Sequence, residues 1–148
     1  MTCVTADPPD ITVLAFDFGT RRIGVAVGST QLRVAHPLAT IDDAREDERF
    51  AAIAALIDEW RPARLVVGVP THADGAPHEM TGHAQRFARQ LEGRFRLPVA
   101  HVDERWTTEA AQMLLDEGGV RRAKGRGVRD RLAAQLILQS YFDDAAVG

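Results

Sequence analysis

Short apolar runs near the start of the chain predict extended structure. Apolar side chains dominate residues 12–18 and 23–28, which predicts two strands joined by a tight turn at 19–22. A third strand is predicted at 33–41, where Pro37 indicates an edge position because proline cannot donate to a sheet ladder. Consecutive strands with short connections are expected to pair antiparallel.

Further along the chain, segments with helical periodicity alternate with short apolar runs that predict buried strands. Asp42 or Asp43 is predicted to cap a first helix, which should end before Pro62. Its apolar positions recur at helical spacing and comprise Phe50, Ile53, Ala54 and Ile57. Two buried strands are predicted at 65–70 and 97–104.

A second helix is predicted between the two buried strands, and two more follow them. The second helix has one apolar face formed by Met80, Ala84, Phe87 and Leu91. The last two helices are expected at about 107–117 and 127–142. Strands that are separated by helices should lie parallel to the first strand.

This order of elements predicts one α/β domain. We expect a ribonuclease H-like fold with a five-stranded mixed sheet, three antiparallel strands and then two parallel ones, flanked by helices. A length of 148 residues suits a single hydrophobic core. The predicted organisation is a disordered leader at 1–10, the domain at 11–144 and a tail at 145–148.

Carboxylates from distant segments are predicted to meet at one edge of this sheet. Asp17 interrupts an apolar strand, and a buried carboxylate needs a partner or a metal ion. Asp103 and Glu104 end the last strand, at the sheet edge where open α/β folds bind their ligands. Asp130 begins the final helix and shares a helical stripe with apolar residues, so it should lie along the packed face. Those residues are Ala134, Ile137 and Tyr141.

A divalent cation explains why such acids would converge. Mg²⁺ prefers carboxylate and water oxygens and can organise attack of water on a phosphate, so Asp17, Glu104 and Asp130 are the predicted ligands. Adjacent strand residues face opposite ways, so either Asp103 or Glu104 can point at the site. We favour Glu104, which is longer and one residue nearer the edge. The alternative is structural: Asp17 as a turn residue and Asp130 as a favourable helix N-terminal charge.

Other chemistry is less well supported by the sequence. Gly19, Gly24 and Gly28 match neither a dinucleotide fingerprint nor a phosphate-binding loop, and are expected to permit the turn and close packing. The five histidines lack metal-site spacing, and the single cysteine, Cys3, excludes an internal disulfide. No signal peptide or membrane-spanning run is present in this sequence, so a cytoplasmic protein is expected.

Charge is unevenly distributed along the chain. The formal net charge is −3, yet residues 119–131 carry six basic side chains against one acid, while the acids cluster at 42–48. Local fields steer a polyanion more than the total charge does. The basic run is therefore either a solvated face or a loop that holds phosphates beside Asp130.

Four stretches together resemble the bacterial YqgF/RuvX family. They are LAFDFGTRRIGVAVG, LVVGVPTHADG, HVDERWTTEAA and KGRGVRDRLAAQLILQSYFD, which touch most of residues 12–143. The resemblance implies a ribonuclease H-like fold related to Holliday-junction resolvases, and a link to maturation of the 5′ end of pre-16S ribosomal RNA. It implies the same catalytic acids: Asp17, Glu104 and Asp130. The middle parallel strand, LVVGVP, lacks the acid that wider relatives carry there, which favours a looser metal site.

The leading hypothesis is a nuclease that uses Mg²⁺ or Mn²⁺ to hydrolyse structured RNA, with branched DNA as an alternative substrate. Basic side chains would hold the phosphates: Arg21, Arg22, Arg105, Arg121, Arg122, Lys124, Arg126 and Arg129. A non-catalytic RNA-binding assembly factor and an actin-like kinase fold are the other classes that remain. No membrane partner is expected, and the chain should act as a monomer or a homodimer.

Overall fold

The computed structural model describes residues 11–19, 22–42, 45–69, 81–103 and 128–147. Within these ranges the sheet has five strands: β1 (Thr12–Phe18), β2 (Arg22–Ser29), β3 (His36–Asp42), β4 (Arg64–Val69) and β5 (Val99–Asp103). Three helices accompany them: α1 (Glu46–Trp60), α2 (Thr81–Phe95) and α3 (Val128–Val147). The helix predicted at 107–117 lies outside the described residues.

The strand order is β3-β2-β1-β4-β5, with β1 in the centre. β1 pairs antiparallel with β2 and parallel with β4, while β3 joins β2 antiparallel and β5 joins β4 parallel. The predicted mixed sheet of three antiparallel and two parallel strands is confirmed. β3 is an edge strand, as Pro37 indicated, and the register between β2 and β3 shifts at Val25 and Ala26.

The start of α1 differs from the sequence-based prediction. β3 continues through Asp42, so the helix begins at Glu46 with Arg45 at the N-cap and without a side-chain capping bond. The acids Glu46, Asp47 and Glu48 occupy the first turn, where the helix dipole favours negative charge.

The buried face of α1 is also rotated from the predicted one. Phe50 and Ile53 are buried as expected, but Ala54 is exposed and Arg49 is buried in its place. On this face the Arg49 guanidinium donates to the backbone carbonyl of Gly19, directly after β1, while Phe50 and Ile53 pack in the core.

Helices α2 and α3 follow the predicted faces among the residues that the structure describes; Met80, predicted for the apolar face of α2, lies outside them. Ala84, Phe87 and Leu91 of α2 are buried, and Ala134 and Ile137 of α3 have no exposed area. α3 continues to Val147, beyond the predicted end near residue 142, with Asp143 and Asp144 exposed to solvent. None of the helices in the described ranges is both long enough and apolar enough to cross a bilayer.

The sheet separates two apolar clusters because successive residues of a strand face opposite sides. One cluster joins the sheet to α1 and α2, and β1 contributes Leu14 and Phe16 to it. The other joins the sheet to α3 and takes Val13 and Ala15 from the same strand. In β1, odd-numbered residues therefore face α3, and even-numbered residues face α1 and α2.

Candidate active site

Asp17 lies near the carboxyl end of β1, on the α3 side of the sheet. It follows Val13 and Ala15 at two-residue intervals, and both of those residues pack in the α3 cluster. Its side chain is half-buried. The apolar run around it arises because β1 is the central strand of the sheet, and Asp17 replaces the apolar residue expected at that position.

Asp130 approaches Asp17 because α3 packs directly on a glycine. Gly24 is the cross-strand partner of Asp17 in the β1–β2 ladder. A β-carbon at Gly24 would lie 1.9 Å from the backbone oxygen of Asp130, so the absence of a side chain allows this close approach. Cross-strand partners have β-carbons about 5 Å apart. Asp17 and the first turn of α3 therefore lie close to each other, on either side of Gly24.

An ion pair fixes the Asp130 carboxylate. Arg22 Nε donates to Asp130 Oδ2 at 2.9 Å, joining β2 to α3 across 108 positions of sequence. The side chains are 33% and 21% exposed respectively. Arg22 has the same parity as Gly24 in β2, which places it on the face that α3 covers.

Further hydrogen bonds anchor α3 to the antiparallel half of the sheet. Arg131 Nη1 donates to Thr40 Oγ1 at 3.2 Å, immediately beside Asp130. One helical turn apart, Gln135 and Gln139 bond the backbone of Ala35, just before β3. These side chains hold the beginning and middle of α3 against β3 and the residue just before it, and sequence periodicity gives no sign of these contacts.

The donor chemistry of this site fits a hard divalent cation. Asp17 and Asp130 supply carboxylate oxygens from one face of the sheet, which are ligands that Mg²⁺ and Mn²⁺ accept. Two acids are not a complete site: across the described ranges, no cluster of three or more His, Cys, Asp or Glu is placed to hold a metal.

Several predicted site residues lie outside the described residues. They are Glu104, Arg21, Arg105, Arg121, Arg122, Lys124 and Arg126. Arg129 belongs to α3, and its side chain is likewise outside the description. Of the predicted residues that remain, the structure brings Asp130 and Arg22 into contact and places Asp17 beside them.

Arg49 is a residue near the site that the sequence analysis missed. Its side chain is 8% exposed, it donates to the Gly19 carbonyl, and its guanidinium lies 5.3 Å from the centre of the Phe18 ring. A charged residue directly before the apolar Phe50 of a helical stripe was the available signal. Arg49 therefore contacts the end of β1 and Gly19 from the face of the sheet opposite Asp17.

The fold is shared with known resolvases. RuvC of T. thermophilus, solved with a Holliday junction substrate, matches with a TM-score of 0.55 and 18% identity over 93% of this chain and 96% of that one. The fowlpox virus Holliday junction resolvase matches with a TM-score of 0.60 and 11% identity over 90% of this chain and 99% of that one. These similarities confirm the predicted ribonuclease H-like fold.

Sequence relatives are much closer. A protein of Nitrosomonas europaea, named "Putative pre-16S rRNA nuclease", is 59% identical over 132 residues, which cover 89% of each chain. A Chromobacterium violaceum protein with the same name is 57% identical over 131 residues, covering 88% of this chain and 96% of that one. The profile of the RuvX family, described as Holliday junction resolvase, matches residues 11–144. The chain therefore belongs to the RuvX family.

Proposed function

We propose that this protein is a metal-dependent nuclease that hydrolyses phosphodiester bonds in structured RNA, at the 5′ end of pre-16S ribosomal RNA. The observation that carries the proposal is the placement of Asp17 and Asp130 on one face, across Gly24, at the carboxyl end of the central strand. Relatives that are 57% and 59% identical and bear the pre-16S rRNA nuclease name support this choice of substrate.

The third ligand in this proposal is Glu104. Ala100 and Val102 of β5 pack in the α3 cluster, whereas Val99 packs in the cluster on the other side. Because strand residues alternate between faces, an even position such as 104 would face the same side as Ala100 and Val102. An odd position such as 103 would face the same side as Val99. The parity favours Glu104 over Asp103. Since β5 is two strands from β1, at about 4.8 Å per strand, the third carboxylate would complete a broad site.

Mg²⁺ or Mn²⁺ held by these acids would stabilise the charge that develops on the phosphate and activate the attacking water. The chain itself would supply orientation and substrate binding. Asp130 is held by the Arg22 Nε bond, and the same guanidinium would also contact a phosphate oxygen. The remaining proposed phosphate contacts come from Arg21, Arg105, Arg121, Arg122, Lys124, Arg126 and Arg129.

The proposal is tested by Asp17→Asn. This variant keeps the size of the side chain but removes its charge, so Mg²⁺-dependent cleavage of pre-16S RNA should be abolished while RNA affinity is nearly unchanged. The loss should exceed the roughly 100-fold effect of changing an outer-shell partner of a metal site. Asp144→Asn, an exposed acid at the far end of α3, is the matched control and should cleave normally.

Cleavage that persists in Asp17→Asn would contradict the mechanism, provided that a second purification excludes a contaminating nuclease. Binding without cleavage in the unsubstituted protein would instead favour the assembly-factor hypothesis. A four-way DNA junction assayed in parallel tests the resolvase alternative, and a stable homodimer in solution would support it because that substrate has two-fold symmetry. We place the activity in the cytoplasm, where the proposed RNA is made.

A further inference from the structure

A concavity lies at the same end of the sheet as Asp17, on the opposite face. It opens between α1 and α2 beside the end of β1 and encloses about 210 Å³. Its apolar wall is formed by Phe18, Phe50 and Phe87. Its polar rim is formed by Glu46, Arg49, His83, Arg86 and Gln90. We call it the α1–α2 concavity.

The charge in this concavity is positive and partly fixed. Arg49 is almost fully buried, and its guanidinium is held by the Gly19 carbonyl and the Phe18 ring. The acidic member of the lining, Glu46, accepts a hydrogen bond from Gln90 Nε2 at 2.7 Å. With two arginines and one glutamate, the lining carries a formal charge of +1 when His83 is neutral, and this sign favours an anion.

Arg86 adds a positive charge that solvent can reach. Its side chain is exposed on the rim, and none of the ion pairs formed among the described residues involves it. His83 lies one helical turn before it on the same face of α2. The two side chains stand where an anion entering the concavity would meet them.

The concavity adjoins the proposed active site through β1. Asp17 and Phe18 are consecutive residues, about 3.3 Å apart along the strand, and they face opposite sides of the sheet. A nucleic-acid strand that crosses the sheet edge with one phosphate at Asp17 would bring a neighbouring nucleotide to the α1–α2 concavity. We propose that this concavity binds the phosphate of a nucleotide flanking the cleaved bond, with Arg86 and His83 as its contacts. This inference rests on the proposed function.

The test is Arg86→Ala, with Arg89→Ala as the matched control. Both remove one exposed arginine from α2, and Arg89 lies outside the lining of the concavity. Binding of a structured RNA with a single-stranded flank is measured in EDTA, where no cleavage occurs. Arg86→Ala should raise Kd roughly fivefold to tenfold at about 0.1 M salt and reduce the salt slope by about one. His83→Ala should raise Kd less, and Arg89→Ala should leave it nearly unchanged.

A second measurement uses the same RNA without its single-stranded flank. When the single-stranded nucleotides are removed from the RNA, the difference in Kd between Arg86→Ala and the unsubstituted protein should disappear. Equal effects of Arg86→Ala and Arg89→Ala, or a deficit that persists without the flank, would overturn the inference. Because binding is measured without metal, it is separable from the proposed cleavage: Asp17-independent cleavage would refute the nuclease mechanism while leaving this result intact.

Discussion

At the scale of single residues, the candidate site depends on an ion pair between distant parts of the chain. The Arg22–Asp130 pair is partly exposed, so its contribution to stability should be modest, about 0.5–1 kcal/mol. Its larger effect is geometric. It fixes one oxygen of Asp130 from the β2 side, which limits the directions in which the other oxygen can point.

We predict that a double-mutant cycle of Arg22→Ala and Asp130→Ala gives a coupling free energy of about 0.5–1 kcal/mol in EDTA. The free energies of unfolding of the single and double variants are measured by urea denaturation. If Asp130 also binds a cation, excess Mg²⁺ competes with Arg22 for the carboxylate, and the coupling should fall in its presence.

A coupling that Mg²⁺ leaves unchanged, at matched ionic strength, would argue against Asp130 as a ligand. The pair Gln139 and Asp143 provides the comparison. It joins two polar side chains within α3, at 3.2 Å and far from the candidate site, so its coupling should not respond to Mg²⁺.

Individual residues differed in how far the sequence could predict their positions and contacts in the fold. The sequence singled out Asp17 because a carboxylate inside an apolar strand requires a compensating partner. It placed Asp130 on the packed face of its helix because Asp130 shares a helical stripe with Ala134 and Ile137. The contact between Arg22 and Asp130 was not predictable, since it depends on how α3 lies across β2. Arg49 was missed because helical periodicity ranks apolar residues and ignores a charge with a buried partner.

At the scale of elements, small residues in β2 determine how closely α3 approaches the sheet. Gly24, Ala26 and Gly28 share the face that α3 covers. A β-carbon at Gly28 would lie 2.7 Å from the Val34 carbonyl oxygen and 2.8 Å from a ring carbon of Phe142. The helix therefore rests on backbone at both ends of β2, and the close packing predicted for these glycines is confirmed.

We predict that Gly24→Ala displaces the start of α3 and destabilises the protein by about 1–3 kcal/mol, because the neighbouring atom is backbone and cannot rotate away. The free energy of unfolding measures the cost, and Mn²⁺ titration measures the affinity of the proposed metal site. At that site the ion should bind more weakly, because Asp130 moves relative to Asp17.

Gly93→Ala is the control for this substitution. A β-carbon there meets no atom within 4 Å, and alanine favours the helix, so stability should rise by about 0.4–1 kcal/mol with metal affinity unchanged. An undiminished stability in Gly24→Ala would show that α3 is free to retreat from the sheet.

The bounds of helices and strands could be predicted only where they depend on the local sequence. β1 was predicted with its observed bounds, since its apolar run is interrupted by a glycine turn. The start of α1 was placed at Asp42 or Asp43, although β3 uses Asp42 as the partner of Arg22. Sheet pairing took precedence over capping at that position, and pairing is a tertiary effect that the local sequence does not encode.

At the scale of the whole molecule, α3 contributes to the core and to the site at once. Ile137 and Leu138 are fully buried in the cluster under the helix, while Asp130 at its first turn belongs to the candidate site. Near the other end, Arg64 Nη1 donates to the Tyr141 hydroxyl at 2.5 Å, which connects α3 to β4. Site geometry and global stability are therefore coupled through one helix.

We predict that Ile137→Ala destabilises the protein by about 2–5 kcal/mol through the cavity it leaves. Because the helix unfolds as part of the domain, the metal-binding signal and the circular-dichroism signal should be lost at the same reduced Tm. Loss of metal binding well below the temperature at which secondary structure is lost would indicate that α3 detaches independently.

The alternation of β1 between the two faces of the sheet has a consequence for how this chain can change length. Inserting or deleting one residue between Thr12 and Asp17 would exchange the environments of Asp17 and Phe18, turning a carboxylate into the α1–α2 cluster and an aromatic ring towards Asp130. Burying the carboxylate in an apolar cluster and placing the ring beside a carboxylate are both unfavourable. Length variation among functional descendants of this chain should therefore be excluded from the central strand and found in the connections that flank it.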